Sequence, residues 1–175
     1  IGLTAGIVAA LRQYSAFDYA SMAGATVGLA VPTFVVGPMF VLVFALSLGW
    51  FKTAGFDDFP RDYVLPALTL ALPFAARIAR LTRAGMLEVI HQDYIRTARA
   101  KGLTERIVVL RHAVKGGLLP VVTYLGPAMA DILAGSLVVE TIFRVPGLGT
   151  EFVTSAANRD YMLVMGTVIV YGSML

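Results

Sequence analysis

The sequence predicts an all-α polytopic membrane protein, and three observations carry that reading. Hydrophobic residues make up 58% of the 175 residues and charged ones 14%, with a mean hydropathy of +0.78, so too little polar surface exists to cover a soluble domain of this size. The apolar runs are far longer than barrel strands and lack their alternation, so the spans are helices. The charges are also clustered: nine of the fourteen Lys and Arg residues (Arg77, Arg80, Arg83, Arg96, Arg99, Lys101, Arg106, Arg111, Lys115) lie between Arg77 and Lys115. The absence of cysteine excludes disulfides, thiolate metal ligands and a Cys nucleophile.

Residues 1–11 and 162–175 are apolar runs of 11 and 14 residues, shorter than the roughly 20 that cross about 30 Å of hydrocarbon. Each reads as a partial helix, and the chain as a piece of a longer one. Residues 22–50 are long enough to span with tilt, with kinks and close packing expected at Gly24, Gly28, Pro32, Gly37 and Pro38. Residues 64–76 are extended toward Met86 if Arg77 and Arg80 reach the headgroups with their long stems. Residues 117–139 carry a single charge, Asp131, and place Gly126, Ala130 and Ala134 on one helical face, where a neighbouring helix is expected. These amount to three complete crossings and two partial ones. With 77–115 in the cytoplasm, alternate crossings put residues 12–21 inside and 51–63 and 140–160 outside. Ten cations then fall inside (the nine and Arg12) against Lys52, Arg61, Arg144 and Arg159 outside, as the positive-inside rule requires. The external segment 51–63 mixes charges and reads as a solvated loop.

The stretch DYIRTARAKGLTERIVVLRHAVK, from Asp93 to Lys115, is a polar elbow between apolar segments. Asp93 is an N-cap candidate, no breaker interrupts Tyr94 to Lys101, and Gly102 suits the left-handed conformation that ends a helix. That first helix is on the order of 12 Å long. Tyr94, Ile95 and Ala98 lie near one another on it, with Arg96 and Arg99 on another side. Thr104 then caps a second helix from Glu105 to Lys115, with an apolar stripe of Ile107, Leu110 and Val114 beside Arg106, Arg111 and Lys115. The residues alone fit two roles equally: a segment resting on anionic headgroups, or a rigid device that hands motion to a soluble partner.

Thr97, Ala98, Arg99, Ala100, Lys101 and Gly102 resemble the peptide-transporter form of the EAA loop of ABC importer permeases. The general loop begins Glu-Ala-Ala, followed after three intervening residues by Gly, where this chain has Arg96, Thr97, Ala98 and then Gly102. Its later Ile-x-Leu-Pro corresponds to His112, Ala113, Val114 and Lys115. The stretches LTRAGMLEVIHQDYIRTARAKGL, RHAVKGGLLPVVTYLGP, GSLVVETIFRVPGLG and NRDY likewise resemble oligopeptide and dipeptide permease subunits across essentially the whole chain. The resemblance implies a fragment of a type I ABC importer permease bundle in the inner (plasma) membrane. That fragment would be one transmembrane domain over 1–175, running from the second of six helices into the sixth, with a coupling loop at about 87–116. It implies ATPase-coupling roles for Tyr94, Ile95, Arg96, Thr97, Ala98, Arg99, Ala100, Lys101, Gly102, Leu103 and Thr104. The implied partners are a second permease, two ABC ATPases that bind the ATP and Mg, and an extracytoplasmic solute-binding protein, with a peptide as cargo.

No GxxxxGK[ST] phosphate loop, zinc-ligand spacing or nucleophile elbow occurs, so the sequence points away from an enzyme and from a cofactor or metal of its own. His91 and His112 read as interface or solvated residues. Asp131 is the only acid well inside an apolar span, about 21 Å along the helix from Gly117. Such a carboxylate is expected to face a cavity or a polar partner. Tyr124, Pro127, Asp131 and Gly135 share helical spacing as a candidate pore lining, in which Asp131 either favours the cationic end of a peptide or pairs with a neighbouring helix. Phe143, Pro146, Gly147 and Gly149 fall in a turn-rich segment that suits an outer gate or receptor contact equally with a loop covering helix ends. Two other classes compete. A secondary transporter or channel would ordinarily need more embedded ionisable groups than one aspartate. Nucleic-acid binding by the elbow is disfavoured by its flanking spans and its interleaved Ile107, Val108, Val109 and Leu110.

Overall fold

A computed structural model describes residues 1–55 and 57–174, with Ala134 and Met174 described in the backbone alone. The helices are α1 (Gly2–Leu11), α2 (Ala16–Ala30) and α3 (Thr33–Phe40), the last prolonged by a π-helical stretch Val41–Ser47. A short 3-10 turn, Arg61–Tyr63, leads into α4 (Val64–Ile90), followed by α5 (Asp93–Ala100). Helix α6 starts at Glu105–Ile107, is π-helical over Val108–Ala113 and closes at Val114–Gly117. Then come α7 (Leu119–Ala134), α8 (Leu137–Phe143), α9 (Leu148–Ala157) and α10 (Tyr161–Met174). No strand occurs among the described residues.

Among the described residues one helical stretch, Arg61–Ile90, is long and apolar enough to cross a membrane, and up to three are if each broken pair counts as one span; α1 and α10 are shorter apolar helices. Two of the three fuller segments of the sequence reading are thus met only as bent pairs, Ala16–Ala30 with Thr33–Ser47 and Glu105–Gly117 with Leu119–Leu133. Helix α4 runs past Ala76 to Ile90 because Arg77 and Arg80 stay off its buried side and Arg83 is paired with an acid. Ala76, Ala79, Thr82 and Met86 are buried at helical spacing, while Arg77 and Arg80 are exposed.

Two expected helices are corrected. Residues 22–50 do not form one rod: the helix stops at Ala30, is interrupted at Val31 and Pro32, and restarts at Thr33. Pro32 lacks the amide proton a continuing helix needs, its ring disfavours helical geometry at Val31, and its ψ of 145° is extended. Residues 117–139 likewise split. Gly135 takes φ +82°, which ends α7, and Ser136 then caps α8, its hydroxyl accepting from the Val139 amide at 3.5 Å.

The chain divides into two compact units, residues 1–30 with 73–126, and residues 31–72 with 127–175. In the first, α1 lies against α4 through Gly2 and Gly6, four residues apart on one face. A Cβ on Gly2 would come 2.5 Å from the Ala75 carbonyl oxygen, and one on Gly6 would come 2.6 Å from that of Ala79. The same device joins α4 to α6: a Cβ on Gly85 would strike the Gly117 carbonyl, and one on Gly117 would come 2.6 Å from the Met86 sulfur. Beside that contact sits a core of Ala10, Met86, Ile95, Ala98, Val108, Val109 and Ala113. Asp18, which is 2% exposed, holds the Arg83 guanidinium through Oδ1 to Nε at 2.5 Å and Oδ2 to Nη2 at 2.7 Å. Asp18 also starts α2: it accepts from the Tyr14 amide and donates its own amide to the Ser15 hydroxyl, in the manner of a capping box.

The second unit packs Ala45, Leu65, Val139 and Phe143, with Phe40, Phe44 and Phe51 against them. Its loop from 51 to 63 is mostly exposed, as a mixed-charge solvated loop should be, with Asp62 the buried exception among the described residues; Phe56 lies outside the described residues. The buried Asp62 carboxylate accepts from the Asp57 and Asp58 amides at 3.1 and 2.9 Å and pairs with Lys52 at 3.2 Å. Arg61 donates through Nε and Nη2 to the Trp50 carbonyl.

The glycine contacts differ in kind, and that difference is measurable. Gly85→Val in the detergent-solubilised chain lowers its thermal midpoint through an overpacking cost of about 1–3 kcal/mol. Gly126→Ala, where an added Cβ meets nothing within 4 Å, leaves the midpoint unchanged or raises it by the helical preference of alanine, about 0.5–1 kcal/mol. Equal loss in both variants contradicts the close-contact account.

Candidate functional site

The elbow is built as its sequence suggests, with local corrections. Helix α5 begins at Asp93, but the cap position belongs to Gln92, whose ψ of 151° is extended. Asp93 is therefore the first helical residue, where its charge favours the positive helix end. Gly102 has φ +77°, the left-handed conformation that a β-carbon resists, and it turns the chain out of α5. Thr104 precedes α6 with extended backbone and makes no side-chain cap bond.

Ile95 is fully buried and Ala98 is 5% exposed, so α5 is keyed into the core under Met86 and Val108. Tyr94, Arg96, Thr97, Arg99, Ala100 and Lys101 face outward. Tyr94 therefore parts from Ile95 and Ala98; it is 46% exposed, and its hydroxyl lies over Gly116 of α6. The stripe expected on α6 is also displaced. Val108, Val109 and Ala113 are the buried residues, whereas Leu110 is 61% and Ile107 36% exposed. The π-helical stretch explains the shift, because its wider turn rotates successive side chains away from the 3.6-residue positions on which the stripe was placed.

A link the sequence reading missed spans the turn. Arg99 Nε meets Glu105 Oε1 at 2.6 Å and Nη2 meets Oε2 at 3.5 Å, tying α5 to the start of α6 around Gly102. Both side chains are more than a third exposed, so the pair contributes little to overall stability and chiefly fixes the angle of the elbow. Its signal was an acid six residues after a base across a glycine turn.

The outward side of the elbow carries a cavity of 360 Å3 lined by Tyr94, Thr97, Ala98, Lys101, Leu103 and His112. The arrangement presents the Lys101 cation, two hydroxyls and an aromatic ring, and among its lining residues no nucleophile is paired with a base. His91 donates from Nδ1 to the Leu87 carbonyl at 2.9 Å, and His112 Nδ1 lies 3.4 Å from the Ile107 carbonyl. Among the described residues no group of His, Cys, Asp or Glu is placed to hold a metal.

The remaining candidate residues scatter. Tyr124 is half-buried, with the Arg77 guanidinium 5.5 Å from its ring centre. Pro127 and Asp131 are exposed on α7, and Asp131 forms no ion pair with another described residue. Gly135 has left the helix. Of the small-residue face, a Cβ added to Gly126 would meet no neighbouring helix within 4 Å, Ala130 is buried, and the Ala134 side chain lies outside the described residues. In the turn-rich segment Phe143 is 3% exposed within the core, and Pro146 borders a 230 Å3 pocket.

Gly147 and Gly149 press on a residue that sequence reasoning passed over, Glu140, which is 7% exposed. Its Oε2 accepts from the Thr150 amide at 2.8 Å and hydroxyl at 3.0 Å, and this pins α8 to α9. The signal was present as an acid in the apolar run LVVETIF, a few residues before a glycine-rich turn.

The family described as binding-protein-dependent transport system inner membrane component matches residues 2–175. The chain is 47% identical over 175 residues to an oligopeptide transport system permease protein of Salmonella typhimurium, covering 99% of this chain and 57% of that protein. It is 45% identical over 174 residues to a dipeptide transport system permease protein of Bacillus subtilis, covering 99% and 56%. It is 42% identical over 170 residues to a glutathione transport system permease protein of Escherichia coli, covering 97% and 55%. The chain thus spans a little over half the length of these relatives. With the match extending over nearly every residue, the elbow and the segments flanking it included, the chain belongs to the family of binding-protein-dependent transport system inner membrane components.

Proposed function

We propose that this chain is part of a permease subunit of an ATP-driven importer of peptides, and that its elbow receives the force of ATP-dependent closure. The carrying observation is the two-sidedness of α5: Ile95 and Ala98 are locked into the core, while Tyr94, Arg96, Thr97 and Lys101 project outward. A push on the outward side then moves α4 and α6 rather than being absorbed by a loose loop. Only an element whose two states contact the partner differently transmits such a bias. The partners are two ATPase subunits at the elbow, a second permease beside the spans, and an external solute-binding protein. ATP and Mg belong to the ATPases.

The relatives are named for oligopeptides, dipeptides and glutathione, which share a peptide backbone with free charged ends. We assign Tyr124, Pro127, Asp131 and Gly135 to the pathway, with the exposed Asp131 favouring a passing ammonium group. At the outer end, Gly147 and Gly149 hold the loop on Glu140 and Phe143 anchors it, so receptor contact falls to exposed Pro146.

A single cysteine at exposed Lys101, in a chain that has none of its own, is expected to crosslink to an ATPase subunit with a yield that changes on ATP binding. A cysteine at buried Ala98 serves poorly. No ATP-sensitive product at Lys101 counts against the docking role. Asp131→Asn is expected to lower uptake of peptides with a free amino terminus by roughly tenfold, one lost charge contact of about 1.4 kcal/mol, and to spare N-acetylated ones; equal uptake of both by variant and parent removes Asp131 from the pathway.

A further inference from the structure

Helix α4 carries Arg77, Arg80 and Arg83 three residues apart, so each stem is displaced by about 4.5 Å along the axis and 60° around it. Together with Met22 and Leu29 of α2 and Ala84 of α4, they line a cavity of 550 Å3. The three guanidiniums are not equivalent. Arg83 is neutralised by Asp18. The Arg77 guanidinium carbon lies 5.5 Å from the centre of the Tyr124 ring, a cation–π contact that leaves its charge unpaired by any acid among the described residues. Arg77 and Arg80 are exposed and form none of the ion pairs among the described residues.

The next acid on α4 is Glu88, eight residues beyond Arg80, or about 12 Å along the axis. Two like charges less than a turn apart repel each other, and a wall built from Met22 and Leu29 concentrates their field in the cavity instead of dispersing it. An anion would relieve the repulsion.

We propose that this cavity is an oxyanion-binding subsite, in which Arg77 and Arg80 donate charge-assisted hydrogen bonds to a carboxylate or phosphate group. Arg83, clamped by Asp18, holds the adjoining wall in place. Planar guanidinium forks suit both kinds of oxyanion. The two sources are the carboxylate end of a peptide in transit, which rests on the function proposed above, and the phosphate of an anionic lipid, which does not.

The test uses the assembled transporter with Ala84→Cys, an exposed cavity position one helical turn from Arg80 and two from Arg77. Labelling of this chain by an anionic sulfonate thiosulfonate is compared with labelling by a cationic trimethylammonium thiosulfonate, each corrected for its rate with a free thiol. The anionic reagent is expected to be favoured by roughly tenfold, the lower end of electrostatic focusing in a charged cleft. Arg77→Gln with Arg80→Gln is expected to abolish that preference, and Arg77→Lys with Arg80→Lys, which retains charge, to keep most of it.

Slowing of the labelling by a dipeptide with a free carboxylate, and not by its amide, identifies the peptide as source. Slowing in phosphatidylglycerol vesicles relative to phosphatidylcholine vesicles identifies the lipid. No preference for the anionic reagent, a preference that survives the glutamine pair, or protection by neither ligand overturns the subsite. Crosslinking at Lys101 is independent of this result, so a subsite that fails leaves the coupling role standing, and the converse holds too.

Discussion

The near backbone-to-backbone approach of α4 and α6 at Gly85 and Gly117 is the constraint on which the elbow depends. Any side chain at either position would hold the helices apart, and Met86, Ile95 and Val108 would no longer close into one buried cluster. That cluster is small and made mainly of Ala and Val, so it gains little from area alone. It works by fit: α5 is only eight residues long, too short to be a stable helix in isolation, and its order comes from burying Ile95 and Ala98.

Charge is handled according to depth. Asp18 is buried and receives a bidentate arginine together with a backbone amide, the full complement a desolvated carboxylate needs. Asp62 is satisfied on one side only, since Lys52 and two amides all meet Oδ2 while Oδ1 is buried without a hydrogen-bond partner among the described residues; Glu140 receives an amide and a hydroxyl of Thr150. The exposed pairs Arg96–Asp93 and Arg99–Glu105 are surface contacts whose value is geometric. Each acid that the fold buries thus ties together two chain segments: Asp18 joins α2 to α4, Asp62 closes the loop before α4, and Glu140 joins α8 to α9.

Composition, run length and the grouping of cations made the helical membrane class legible, and the Gly102 turn with Ile95 and Ala98 beneath it followed from spacing. What escaped the sequence was set by three-dimensional circumstance. The interruption at Pro32 and the stop at Gly135 were visible as residues but not as decisions, since membrane helices tolerate both types when neighbours satisfy the freed backbone groups. The stripe on α6 was misplaced because it was drawn at the 3.6-residue period, which the wider turn of the π-helical stretch Val108–Ala113 does not follow. Asp18 with Arg83, 65 residues apart, is a partnership that no local pattern encodes, whereas Glu140 with Thr150, ten apart, left a local signal that was passed over. Asp131, conspicuous in the sequence, has no partner among the described residues.

The claim that α5 rides rigidly on α4 is tested most directly by pulsed electron resonance between spin labels at exposed Glu88 and Lys101 in the assembled transporter. Rigid seating of Ile95 and Ala98 predicts one narrow distance distribution that is the same without nucleotide and with ATP bound. A broad distribution, or one that shifts with nucleotide, would show that α5 moves on its own support and would contradict the account.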